Sequence, residues 1–148
     1  MNKNRLVLAC IAVFVFVFGY EWVFHGILLK DAYAKTANLW RPDPEMQGYF
    51  GWLLLGQFIL AVTFCLIYAV RSGSHYHLGT GVGYGFLIGL MRAGLGCITY
   101  AVQPVPGSLI GSWFVGGLIE VMLAGAILGA IYRPAVQAPM TSSQAAPA

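Results

Sequence analysis

Four long apolar stretches, Leu6 to Leu29, Tyr49 to Val70, Thr80 to Val102 and Leu109 to Tyr132, take up most of the chain and leave little else to fold. Each approaches or exceeds the ~20 residues that a helix needs to cross a hydrocarbon core of about 30 Å. Composition agrees: 59% of positions are hydrophobic, only 9% are charged, and the mean hydropathy is +0.75. A soluble domain carries roughly 25% charged residues. The chain therefore predicts an all-α, four-helix transmembrane bundle, one membrane domain over residues 1–132 with spans at about 6–29, 49–70, 80–102 and 109–132. The remainder, "RPAVQAPMTSSQAAPA" over residues 133–148, is too poor in core-forming side chains to fold and is expected to be disordered.

The first stretch is too long for the 7 to 15 residue apolar region of a signal peptide, so "AYA" at Ala32 to Ala34 is not read as a cleavage site. Only nine residues precede Cys10 in "LVLAC", too few for lipoprotein processing. Cys10, Cys65 and Cys97 fall in different spans without CxxC spacing and are expected to be buried free thiols. Lys3, Arg5, Arg71 and Arg133 flank one side of the spans, Lys30, Lys35 and Arg41 the other, which favours cytoplasmic termini. The net charge of +3 is spread over both faces, so no nucleic-acid partner is expected.

Four polar residues interrupt the spans: Glu21, Gln57, Arg92 and Glu120. A charge within a span is costly by about 2.5 to 3.5 kcal/mol on insertion scales, and such residues face the bundle interior or a partner. At about 1.5 Å per residue, all four lie roughly 18 to 23 Å from the presumed cytoplasmic ends, in one layer. On span three Gly85, Gly89, Arg92, Gly96 and Thr99 recur on one face; on span four Gly116, Gly117, Glu120 and Ala124 form another small face, with Gly125 and Gly129 at GxxxG spacing close by. Small stripes mark helix contact faces in lipid, so spans three and four should pack tightly with Arg92 paired to Glu120. A guanidinium has five donors in a fixed fork and can meet a second carboxylate, here Glu21, with Gln57 as a neutral hydrogen-bonding wall. Two carboxylates against one arginine leave an excess charge that a proton can neutralise; Glu21 is the candidate carrier, and His25, one turn above it, the next station outward.

The first loop, "KDAYAKTANLWRPDPEMQGYF", reads as a helical extension stopped by Pro42 and Pro44 and lying on the membrane surface. Tyr33, Trp40, Arg41 and Trp52 suit the interface, as anchors, as a docking surface for a partner, or as a lid over the polar site. His75 and His77 alternate in a turn, but no third ligand is near and no metal site is expected. "GTGVGYG" has no preceding strand and runs into a span, so helix packing explains it better than a phosphate loop. No other span contains a histidine to partner His25 as a haem ligand, and no cofactor is expected.

The string "GYEWVFHGILLKDAYAKTANLWRPDPEM", followed by a glycine-rich third span and the ending "LAGAILGAIYR", resembles the short four-span bacterial inner-membrane proteins grouped as domains of unknown function. That resemblance implies a membrane fold and a bacterial inner (plasma) membrane location, and carries no activity. A thinner one is to the small multidrug resistance transporters, through Glu21, Lys30 and the glycine-rich third span; the long first loop and the Arg92 and Glu120 pair depart from it. No nucleophile with its base is visible, so no enzyme is expected. Two readings follow: an accessory or assembly subunit whose charge layer and loop organise contacts with the bilayer and with another subunit or a second copy, or a small dimeric transporter or channel with proton or cation coupling at Glu21 and His25.

Overall fold

The computed structural model describes residues 2–71 and 76–132. All regular structure in them is helical: α1 (Lys3–Val23), a π turn (Phe24–Leu28), α2 (Lys30–Lys35), a 3₁₀ turn (Ala37–Leu39), α3 (Asp43–Arg71), α4 (Leu78–Val102) and α5 (Gly107–Ile131). Four helices, counting α1 with its π turn as one, are long and apolar enough to cross a membrane. A helix satisfies its backbone N–H and C=O groups internally, as hydrocarbon requires. The predicted tail, Arg133 and His75 lie outside the described residues.

Local chemistry sets the ends. The Asn2 side chain accepts from the Arg5 N–H at 3.2 Å and caps α1. Pro42 and Pro44 do stop the loop helix, but they also start the next one: the Pro42 carbonyl accepts from Glu45 and Met46, and Asp43 and Glu45 occupy the first turn of α3. Proline tolerates a first turn, where its missing N–H has no partner to lose, and acidic residues there complement the helix dipole. The second long helix thus begins at Asp43 rather than near Tyr49. His77 is the N-cap of α4 in a reciprocal box, its Nδ1 accepting from the Thr80 N–H and its own N–H donating to Thr80 Oγ1. That commits one ring nitrogen of the HxH pair to capping.

Helix α5 lies between α4 and α1, and α1 packs on α3. The α4 and α5 backbones touch. A Cβ on Gly81 or Gly85 would overlap the carbonyls of Gly125 or Val121, and one on Gly129 would stand 2.7 Å from the His77 carbonyl. Gly81, absent from the predicted stripe, belongs to the closest part of the crossing. At Gly89 the neighbour is the Leu118 side chain, and at Gly96 there is no neighbouring atom within 4 Å. Gly96 is therefore corrected from a packing glycine to a cavity wall: the helices are splayed here. Gly116 faces the π turn, where a Cβ would strike the Phe24 ring, while a Cβ on Gly117 would stand 3.7 Å from the Arg92 guanidinium.

The end of the bundle holding the chain's start, which we call the foot, is closed by rings and hydroxyls. Tyr84 donates to the Phe64 carbonyl at 2.8 Å, the Tyr68 and Thr80 hydroxyls share a bond at 3.0 Å, and Tyr76 stacks edge-on against Tyr68 and Tyr132. Leu6, Ala9 and Val13 of α1, Ala61 and Cys65 of α3, and Ala124 and Leu128 of α5 complete the core. Cys65 is buried and Cys10 half-buried, but Cys97 is exposed, contrary to expectation, on the stretch of α4 that borders a cavity rather than a packed neighbour.

Gly81→Ala should lower the melting temperature of the detergent-solubilised protein by several degrees, since a backbone must move to admit the methyl and overpacking costs about 1–3 kcal/mol. Gly94→Ala, on the same helix with no neighbouring atom within 4 Å, should leave it unchanged or raise it slightly, as alanine is the better helix former by up to about 1 kcal/mol. Circular dichroism melts of the two variants check the contrast.

Candidate functional site

Glu21 is on the last full turn of α1, Arg92 in the middle of α4 and Glu120 in the middle of α5. The three meet. Arg92 Nη1 donates to Glu120 Oε2 at 2.6 Å and Nη2 donates to Glu21 Oε1 at 2.8 Å, one carboxylate on each terminal nitrogen of the fork. Glu120 is 1% exposed. The Arg92 side chain is 48% exposed, so the cluster is open on the arginine side rather than sealed.

The contacts continue outward. His25 Nε2 reaches Glu21 Oε2 at 2.8 Å, its Nδ1 bonds the Tyr33 hydroxyl at 2.5 Å, and Trp113 Nε1 donates to the same hydroxyl at 2.9 Å. Glu120, Arg92, Glu21, His25, Tyr33 and Trp113 thus form one string of polar contacts. It begins and ends on α5, because Trp113 and Glu120 are seven residues apart and share a face. An indole N–H only donates. With His25 neutral, Tyr33 donates to Nδ1 and Nε2–H donates to Glu21; with His25 protonated, Nδ1–H donates to the Tyr33 oxygen. Both protonation states of the imidazole keep both contacts.

The loop after α1 is folded inward to make this possible. Its π turn carries His25 and sets Phe24 against Gly116, and Tyr20 donates to the Gly116 carbonyl at 2.9 Å. Thr36, buried, donates to the Ala32 carbonyl and accepts from Trp40 Nε1 at 2.9 Å, which holds the Trp40 ring 6.0 Å from Trp113 and 5.4 Å from Tyr33. Tyr33 and Trp40 thus lie against Trp113 at the outer end of the polar string. Arg41 stays exposed, bonded to Glu45 at 2.6 Å and seated over the Tyr49 ring; Trp52 is 71% exposed and touches no part of the site. Burial pushes the Tyr33 phenol above its ordinary value, the Trp113 N–H opposes this and the Glu21 charge adds to it, so the hydroxyl keeps its proton at neutral pH.

Two expectations need correction. Among the described residues Gln57 makes no bond to the cluster and its buried Oε1 has no partner; the residue lines a groove of about 570 Å³ between α1 and α3 together with Glu21, His25 and Trp22. Glu21, expected to be the less-partnered carboxylate, has both oxygens engaged. Among the described residues the carboxylate oxygen that accepts from no donor is Glu120 Oε1. Trp113 was missed, although its sequence signal existed: it precedes Glu120 by two helical turns, flanked by the same small residues. A second cavity, about 340 Å³, opens where α4 and α5 splay and is lined by Phe24, His25, Arg92, Trp113, Gly117 and Glu120 among others. His25 lines both cavities.

The four long helices define a multi-pass membrane protein. Comparison with family models, with curated proteins and with solved structures finds no match. Its activity must accordingly be argued from the site.

Arg92→Leu strands the Glu120 carboxylate and should destabilise the protein by about 3–5 kcal/mol, whereas the double variant Arg92→Leu/Glu120→Leu should recover much of that loss. Chemical denaturation in mixed micelles measures both. The raised Tyr33 value predicts that the phenol's stabilising, protonated form persists below its ordinary pKa of about 10 and is lost only as pH climbs above it; the 295 nm titration of the wild type minus Tyr33→Phe gives the midpoint.

Proposed function

We propose that this chain is a non-enzymatic transporter or channel of the bacterial inner membrane, with cytoplasmic termini, in which the Glu21–His25 pair takes up and releases a proton between two cavities. The observation that carries this reading is the position of His25: it borders both cavities, and its two nitrogens bond a carboxylate on one side and a phenol on the other. An imidazole held this way accepts a proton on one nitrogen and releases one from the other without moving. Ionisable groups at membrane depth are costly, and a clamp serving only to hold helices has no use for an open arginine or for an unpartnered Glu120 oxygen.

A second reading, an accessory or assembly subunit, rests on the exposed aromatic side chains of α3, Trp52 and Phe58, which a neighbouring helix could cover. In that case a stoichiometric partner should accompany the protein through gentle extraction.

The transport reading is tested in liposomes. Wild-type protein should admit protons or a co-transported cation, read by an enclosed pH dye under an imposed potential. Glu21→Gln should lower the rate at least tenfold while the protein stays folded, and Tyr33→Phe should lower it several-fold. Absence of wild-type flux across a broad panel of ions and solutes would overturn the reading.

A further inference from the structure

The cavity between the splayed halves of α4 and α5, about 340 Å³, is walled mostly by carbon, with Phe24, Leu95, Ile110, Phe114 and Leu118 around it. Most of the polar side chains on its lining are already committed. His25 bonds Glu21 and Tyr33 through its two nitrogens, Trp113 gives its one N–H to Tyr33, and the Thr99 hydroxyl donates to the Leu95 carbonyl at 3.0 Å. Glu120 has one oxygen on Arg92, and its other oxygen is sealed away from the cavity. Arg92 differs. It uses two of its five N–H donors on the carboxylates, and the other three meet no acceptor among the described residues. The guanidinium itself stands at the cavity wall, and not only its stem: a Cβ on the lining residue Gly117 would lie 3.7 Å from Arg92 Cζ and Nε. With no side chain at Gly117, that face of the guanidinium is left bare.

An occupant suited to this wall accepts a hydrogen bond and donates none. An ammonium only donates, and would stand beside the Arg92 cation with neither Glu120 oxygen within reach. Charge then selects among acceptors. Arg92, Glu21 and Glu120 sum to one negative charge when both acids are ionised, so a carboxylate or phosphate would add a second in a region of low dielectric. A neutral carbonyl accepts from the guanidinium and adds no charge. Few but well-placed polar groups in an apolar chamber are the usual form of a small-molecule site.

We propose that this cavity binds a neutral apolar molecule through a carbonyl oxygen that accepts from Arg92, its hydrocarbon body lying against the apolar walls. A free ketone and the ester of a membrane lipid share that chemistry. The proposal goes beyond the proton-handling role of Glu21 and His25 and is tested without a gradient, so failure of one leaves the other visible.

Benzophenone is a suitable probe, because its carbonyl stretch reports hydrogen bonding and its excited ketone cross-links to neighbouring C–H groups. Full-length protein in nanodiscs of ether-linked phosphatidylcholine, which has no ester carbonyl, is given benzophenone isotope-labelled at the carbonyl carbon. Infrared difference spectra should show a saturable ketone band at lower frequency than in protein-free nanodiscs. After irradiation, peptide mass spectrometry should place adducts on the cavity-lining stretches of α4 and α5. Diphenylmethane, which lacks the carbonyl, should displace the probe roughly tenfold less well than unlabelled benzophenone, as expected for the loss of a hydrogen bond to a charged donor. Gly96→Leu, at a lining position with no atom within 4 Å to displace, should abolish both band and adducts with no change in melting temperature. Arg92→Leu/Glu120→Leu should lose the shifted band and keep the adducts. Ester-linked phosphatidylcholine in place of the ether lipid separates the two sources: weaker probe binding there supports a lipid ester as the occupant, and equal binding supports a free solute. An unshifted ketone band, a shifted band that survives in Arg92→Leu/Glu120→Leu, or displacement of the probe by benzoate more readily than by acetophenone would each overturn the proposal.

Discussion

Because Arg92 reaches Glu120 through one terminal nitrogen and Glu21 through the other, helices from opposite ends of the sequence share one charged contact. In lipid there is no hydrophobic force pulling one apolar helix onto another, so association depends on close backbone packing and on polar bonds. The guanidinium supplies the second of these for α1, α4 and α5 at once. Lysine could not replace it, since a single ammonium is a point charge and cannot hold two carboxylates in a planar fork.

Close packing is supplied elsewhere, at the foot, where Gly81, Gly85, Gly125 and Gly129 let two backbones touch. The two devices are separated along the same pair of helices, and the separation has a consequence. Glycine packing pulls α4 and α5 together at one end, while Leu118, Phe24 and the Arg92 side chain occupy the space between them further along. The helices diverge, and the cavity is the space left by that divergence. Its polar end is polar because the charged contact sits where the glycines give out.

The spans were legible because hydropathy over twenty residues is a coarse and strong signal, and the meeting of Arg92 with Glu120 was legible because equal distances along antiparallel helices put charges at one height. Glu21 followed from the same count. The aromatic cluster around Trp113 was less so. Tyr33 and Trp40 look like interfacial residues by composition, and only the π turn at Phe24–Leu28, which no propensity announces, swings them over Trp113. Gln57 failed for the opposite reason: it has the right height but stands across the α1–α3 groove, and height says nothing about the direction in which a helix faces its neighbours.

The amino-acid sequence by itself determined that this is a four-span helical membrane protein, which side chains are too costly to leave in lipid, and at what level they must find each other. These follow from one-dimensional quantities, length, hydropathy and spacing. Tertiary structure decided which carboxylate keeps an oxygen unpartnered, that Gly96 borders a cavity rather than a helix, and that Trp113 closes the polar string back onto α5. Those outcomes depend on the rotation and splay of helices about their axes, which arise from contacts between residues far apart in the chain.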